Sequence, residues 1–176
     1  MSIFKAVTNT NFGNTLATLP EKISYLVNPE KAKPDTIWIK VGIALIRTEI
    51  SMFYEAVSFN QNKYGKPNLK AYDHYILRFD GNKDTHVRFE NIISVITTLS
   101  CRFNINRFGH YFVLAVMHYD TRVPHVHFLI DTIDHYTGKR RNLTPKDFYS
   151  LRLLINQTLQ QYGLTPLKFK SNPPQA

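Results

Sequence analysis

Residues 111–132, YFVLAVMHYDTRVPHVHFLIDT, decide how this chain folds. Residues 111–117 are continuously apolar, include two valines and are too short to favour a helix, which predicts a strand buried on both faces. Residues 126–132 (VHFLIDT) predict a second strand. Between them Asp120, Thr121 and Pro124 supply turn chemistry, so the chain reverses and brings His118 beside His125. Side chains alternate along a strand, so His125 and His127 share a face. Three imidazoles then converge, and imidazole is the commonest metal ligand. Neutral imidazoles suit Mn, Co, Ni or Zn, so softness alone does not choose the ion. His74, His86, His110 and His135 lack this spacing.

Working outward, residues 72–79 (YDHYILRF) alternate as a strand, with Tyr72, His74, Ile76 and Arg78 on one face and Asp73, Tyr75, Leu77 and Phe79 on the other. Residues 37–46 read as a strand or part of a longer mobile segment. Four helices are expected. Residues 20–27 open with Pro20 and Glu21 and stop at Asn28-Pro29. Residues 48–62 carry Ile50, Phe53, Tyr54 and Val57 on one side, and residues 88–100 carry Phe89, Ile92, Ile93, Ile96 and Leu99 at helical spacing. The last has Thr144 as N-cap, Pro145 at its first position, Asp147 as capping acid and Gly163 beyond its end. The expected fold class is α+β: a central, mainly antiparallel sheet of about five strands with flanking helices.

With 176 residues, 43% of them hydrophobic, the chain fits one domain over residues 1–170, followed by a disordered tail at 171–176 (SNPPQA). Lys and Arg outnumber Asp and Glu by 22 to 13, a formal charge of +9, which favours a polyanionic partner such as nucleic acid. No apolar run approaches a membrane span and residues 1–14 do not resemble a secretion signal, so no membrane partner and a cytoplasmic location are expected. The single cysteine, Cys101, excludes an internal disulfide and reads as a packing residue.

A cation on three neutral histidines keeps its full charge and suits a phosphodiester, whose transition state it stabilises as a Lewis acid. The attacking group stays open at this point: water gives hydrolysis, whereas a tyrosine gives a covalent phosphotyrosine whose energy can reseal the strand.

The motif His118-x-Asp120 followed by Pro124-His125-x-His127 resembles that of the relaxases, the mobilisation nucleases of the HUH endonuclease superfamily. Residues 23–31 (ISYLVNPEK) resemble the family's nucleophile motif, residues 72–79 its intervening strand, and residues 138–163 the segment after the histidines. The resemblance implies a divalent ion, Mn or Mg, on His118, His125 and His127. It also implies metal-dependent nicking of one DNA strand at a transfer origin, with Tyr25 joined to the 5′-phosphate and a free 3′-hydroxyl left. Single-stranded and duplex DNA at that origin would be the partner, with accessory DNA-binding proteins and a coupling ATPase beside it. Asp120 would orient a ligating imidazole, a role that ordinary turn initiation also explains.

Where many relatives carry a serine and then a glutamate after the strand core, this chain has Arg78 and then Asp80 and Asp84. The base that accepts the Tyr25 proton is therefore open among His74, Asp73, Asp80 and a hydroxide held by the ion. Relaxases often continue into further C-terminal domains. Lys31, Lys33, Arg78, Arg122 and the cluster Lys139, Arg140 and Arg141 are the expected DNA contacts, with Trp38 among the aromatics available for base stacking. A rolling-circle initiator or single-strand transposase of the same superfamily would instead use a tyrosine on the last helix, Tyr149. A metal-free basic DNA-binding module and a water-using hydrolase of small phosphorylated substrates complete the alternatives.

Overall fold

The computed structural model describes residues 2–7, 13–41, 44–46, 50–65, 68–81, 83–84, 91, 94–95, 98–99 and 110–168. His86, Cys101, the tail 171–176, the side chain of Trp38 and most of the helix expected over 88–100 lie outside them.

Among the described residues six antiparallel strands form one sheet: β1 (Ile3–Ala6), β2 (Ile37–Val41), β3 (Ala44–Ile46), β4 (Tyr72–Arg78), β5 (Val113–His118) and β6 (His125–Asp131), in the order β1-β4-β6-β5-β2-β3. The sequence expectation of about five grows to six for two local reasons. Residues 37–46 double back as two strands, Val41 pairing with Ala44. Ile3–Ala6 adds an edge strand against β4, too short for its alternation to stand out in the sequence.

The long central hairpin β5–β6 is paired from Val113↔Ile130 to His118↔His125, and β6 pairs along its whole length with β4. Both strands are buried on both faces, which explains their near-continuous apolar runs.

Each face has its own cover. Val113, Ala115, Met117, Val126, Phe128 and Ile130 point to one side and pack with Leu151, Ile155 and Leu159 of helix α3 (Pro145–Gln161). Val95 and Leu99 join the same cluster. Thr144 and Asp147 close the capping box at the start of α3 as their spacing predicts, satisfying amides that the first helical turn leaves free. The opposite side presents Leu114, Val116 and Leu129, covered by Leu19, Ile23 and Leu26 of α1 (Leu19–Leu26) and Phe53 and Val57 of α2 (Ser51–Lys63).

Buried polar bonds fasten α2. Asn60 Nδ2 donates to Asp131 Oδ2 at 2.5 Å and Gln61 Nε2 to Asp131 Oδ1 at 3.0 Å. Burial still pushes the Asp131 carboxyl up to about 6.

Candidate metal centre and nuclease site

The strand register builds the site. His118 ends β5 and is the cross-strand partner of His125, which begins β6; His127 follows on the same face, opposite Val116. One ligand atom from each of these three histidines lies within 4.8 Å of the others. The ring centroids of His118 are 4.4 Å from His127 and 5.3 Å from His125. The face is the one covered by α1 and α2, so the same alternation that sends Val126 and Phe128 toward α3 sends the imidazoles the other way.

A fourth histidine supports the cluster. His74 of β4 lies on this face, and its Nε2 is 2.8 Å from Nδ1 of His127. That leaves His127 Nε2 buried and, among the described residues, without a hydrogen-bond partner, a cost in an apolar setting that a cation would remove. Ligation through Nε2 would require a lone pair there, with Nδ1 carrying the proton and donating to His74. His118 Nε2 lies 2.7 Å from the Leu26 carbonyl oxygen. A carbonyl only accepts, so Nε2 is the protonated nitrogen and Nδ1 is free to ligate. Thr121 Oγ1 is 3.3 Å from His125 Nδ1, while Asp120 Oδ1 is 4.0 Å from His125 Nε2.

Burial keeps the imidazoles neutral. It pulls His127 down to about 2, helped by His118, His74 and His125 around it. Burial and Lys22 pull His74 down to about 4. His118 and His125 are likewise lowered, first by burial. Neutral converging imidazoles with one orphaned buried nitrogen fit a divalent ion.

Tyr25 arrives from α1. Leu19, Ile23 and Leu26 bury the inner stripe of that helix, which leaves Tyr25 on its rim at 48% exposure. Its ring centroid lies 6.3 Å from that of His118. After Pro29 the chain turns on Asn28, whose carbonyl accepts from the amides of Lys31 and Ala32. This turn brings Lys31 Nζ 3.8 Å from the Tyr25 ring centroid, with Lys22 Nζ at 5.4 Å on the same ring. The Tyr119 amide donates to the Lys31 carbonyl at 3.0 Å, tying the turn to the end of β5. Lys33 Nζ lies 5.9 Å from the Tyr119 ring centroid. Arg122 is exposed in the β5–β6 hairpin.

Arg78 is the cross-strand partner of His125 and lines a groove with Lys5, Ile76, Thr121 and His125. The sequence reading missed Lys5, because its place beside the site depends on β1 pairing with β4. It missed the His74–His127 bond for the same kind of reason: the pair is 53 residues apart in sequence.

The other expected groups lie elsewhere. Asp73 points to the α3 side and is held by Lys70 and Arg141, so it is no acceptor for Tyr25. The Asp80 amide donates to Asp84 in the turn after β4. Lys139, Arg140 and Arg141 sit beyond the far end of β6, where the Arg141 amide donates to the Thr132 carbonyl. Tyr149 belongs to α3, across the sheet from the histidines.

Comparison with known proteins gives the fold and site a family. The model of the relaxase nuclease domain, MobA/VirD2-like, matches residues 25–164, a span that contains Tyr25, His74, His118, His125 and His127. The chain belongs to the relaxases. Among solved structures, this relaxase is similar to the relaxase domain of MobM, crystallised with Mn and origin DNA of plasmid pMV158. At 12% identity the TM-score is 0.66, with 96% of this chain and 90% of that one covered. A MobM complex with thiophosphate-modified DNA gives a TM-score of 0.67, also at 12% identity. A structure described as the molecular basis of vancomycin resistance transfer in Staphylococcus aureus gives 0.57 at 13% identity, covering 93% of this chain and 94% of that one. No curated protein sequence matches the chain. At such identities the structural likeness establishes the HUH-type fold, and the family match establishes a relaxase-type nuclease. Among the described residues no helix is long and apolar enough to cross a membrane.

Proposed function

We propose that this relaxase nicks one strand of DNA at a transfer origin through a covalent phosphotyrosine, for mobilisation of that DNA. Tyr25 is the nucleophile, and Mn or Mg is the ion held by His118, His125 and His127. The observation that carries the reading is the half-exposed Tyr25 ring 6.3 Å from His118, on the sheet face where three neutral imidazoles converge. When bound, the ion acts as a Lewis acid on a non-bridging oxygen of the scissile phosphate.

The protein's own groups do the rest. The Tyr25 Oη–phosphorus bond forms as the bond from phosphorus to the 3′-oxygen breaks; the phenol's proton passes to solvent at the half-exposed ring, and the 3′-oxygen takes a proton from solvent. Returning attack by a 3′-hydroxyl reverses both changes and reseals or transfers the strand. Lys31 and Lys22 hold the ring and draw the phosphate toward it. His74 acts through His127, fixing its tautomer, and is a positioning residue. The Leu26 carbonyl does the same for His118, one residue from the nucleophile. Lys5 and Arg78, in the groove beside His125, carry the strand past the ion.

The likeness to MobM, a relaxase crystallised with Mn and origin DNA, supports this choice of partner and ion. Lys33 and Arg122 are additional phosphate contacts in the same reading, and accessory DNA-binding proteins and a coupling ATPase belong with it. Tyr149 is a poor nucleophile here, because α3 packs on the opposite face from the imidazoles.

The test is a denaturing gel of wild type, Tyr25→Phe and Tyr149→Phe with Mn and labelled single-stranded origin DNA. A metal-dependent covalent band lost only with Tyr25→Phe is expected. Its loss only with Tyr149→Phe, or cleavage with no adduct, overturns the assignment.

A further inference from the structure

Arg141 is the most confined cation described in this molecule, its side chain only 4% exposed. It leans on the Tyr111 ring, with its guanidinium carbon 5.0 Å from the ring centroid, and its Nη2 donates to Asp73. Nε and Nη1 are buried without a partner among the described residues, and so are Nε and Nη2 of the neighbouring Arg140. Unmade donors on a buried charged group are costly. Arg140 is itself fastened through Nη1 to the Lys70 carbonyl and, at 3.2 Å, to Thr132 Oγ1.

Both arginines and Lys70 line a cavity of about 680 Å³ that also includes Asn142 and Thr144. Asp73 is the carboxylate in that lining, so Lys70, Arg140 and Arg141 leave positive charge in excess around a space large enough for a phosphate. The start of α3 contributes little, since Thr144 and Asp147 already satisfy it.

We propose that Lys70, Arg140 and Arg141 form a second anion subsite, separate from the histidine centre, that takes a phosphate group of the DNA backbone away from the scissile bond. This rests on the nuclease reading for its choice of ligand. Thr132, which the Arg141 amide contacts, is five residues along the chain from His127, roughly 17 Å at strand rise, and the Arg141–Asp73 pair lies on the α3 side of the sheet. An adjoining cavity shares Lys70 and Asp73 with this one and is also lined by His74, the partner of His127. The subsite therefore engages DNA that extends beyond the nick and anchors the flanking segment while the cleaved end is exchanged.

The experiment measures binding of single-stranded origin DNA by fluorescence anisotropy against salt. It compares an oligonucleotide of about 30 nucleotides with one of about 4, centred on the nick and too short to reach the subsite. Lys70→Gln/Arg140→Gln should weaken the long oligonucleotide about tenfold and lower its salt slope by about 1.4, two single-strand phosphate contacts. The short one should change less than twofold. Arg141→Lys, which keeps a charge opposite Asp73, should act in the same direction, and thermal melts verify that each variant folds. An equal effect on both lengths, or none on either, overturns the proposal.

Wild type that neither binds nor cleaves DNA would overturn the nuclease reading instead. Inorganic phosphate then decides the subsite. A rise in melting temperature lost in the double variant would support a phosphate subsite that takes free phosphate, and no rise would overturn it.

Discussion

The two faces of the β5–β6 hairpin are built from alternate residues of the same strands, yet they do different work. Toward α3 the strands offer Val113, Ala115, Met117, Val126, Phe128 and Ile130, with no titratable group among them. Toward α1 the same residues' neighbours are Leu114, Val116 and Leu129 in the middle and His118, His125 and His127 at one end. One face is packed for stability. That packing lets the other hold neutral imidazoles and an orphaned nitrogen that an apolar core would otherwise reject. The converging histidines are therefore confined to the end of the sheet where α1 brings Tyr25, the nucleophile in the proposed reading.

The strongest way to break this contrast is to hollow the α3 face. Phe128→Ala should cost about 3–5 kcal/mol in chemical denaturation. Its neighbour His127→Ala should instead abolish high-affinity Mn binding in calorimetry; a similar stability loss in both would erase the distinction between the faces.

Next is pH. His74 and His127 have folded values near 4 and 2, below their ordinary 6.5. The unfolded chain then binds more protons, so their contribution is present above pH 6.5 and is lost as pH falls. Metal-free protein should lose about 2 kcal/mol per histidine between pH 7.5 and pH 5. Asp131 works in the other direction: its raised value makes its contribution full below pH 3.8 and lost as pH rises through about 6. Melts of His74→Gln and Asp131→Asn across pH 4–8 separate the two signs.

Smaller still is the effect of His74 on the ion. His74→Ala should weaken Mn affinity about 10- to 100-fold, because His127 loses the partner that fixes its tautomer; unchanged affinity would remove His74 from the site. Gly81 tests the hairpin from beneath, since a Cβ there would lie 2.2 Å from Val123 Cγ2. Gly81→Ala should cost about 1–3 kcal/mol and loosen metal binding by shifting His125. The smallest effect is expected at Tyr25. Tyr25→Phe removes a hydroxyl from a half-exposed ring, so stability should stay within about 0.5 kcal/mol while the covalent adduct disappears.

Much of this was legible in the chain. The apolar run before His118, the turn residues and the period of two after Pro124 predicted a hairpin with three histidines on one side, and the structure has that hairpin. The capping box of α3 was equally plain, because Thr144 and Asp147 act within three residues of each other. What the sequence hid were pairings between distant segments: His74 with His127, Leu26 with His118, Lys5 beside Arg78, and Arg141 buried against Asp73 and Tyr111. Local patterns record which face of an element is apolar and where the chain can turn, since those follow from steric periods and nearby hydrogen bonds. They do not record sheet order. By itself the sequence determined a histidine hairpin, a short helix carrying Tyr25 near its end and a chain rich in positive charge. Only the tertiary structure decided that Tyr25 meets the histidines while Tyr149 does not, because strand order and helix placement choose which side of the sheet each tyrosine occupies.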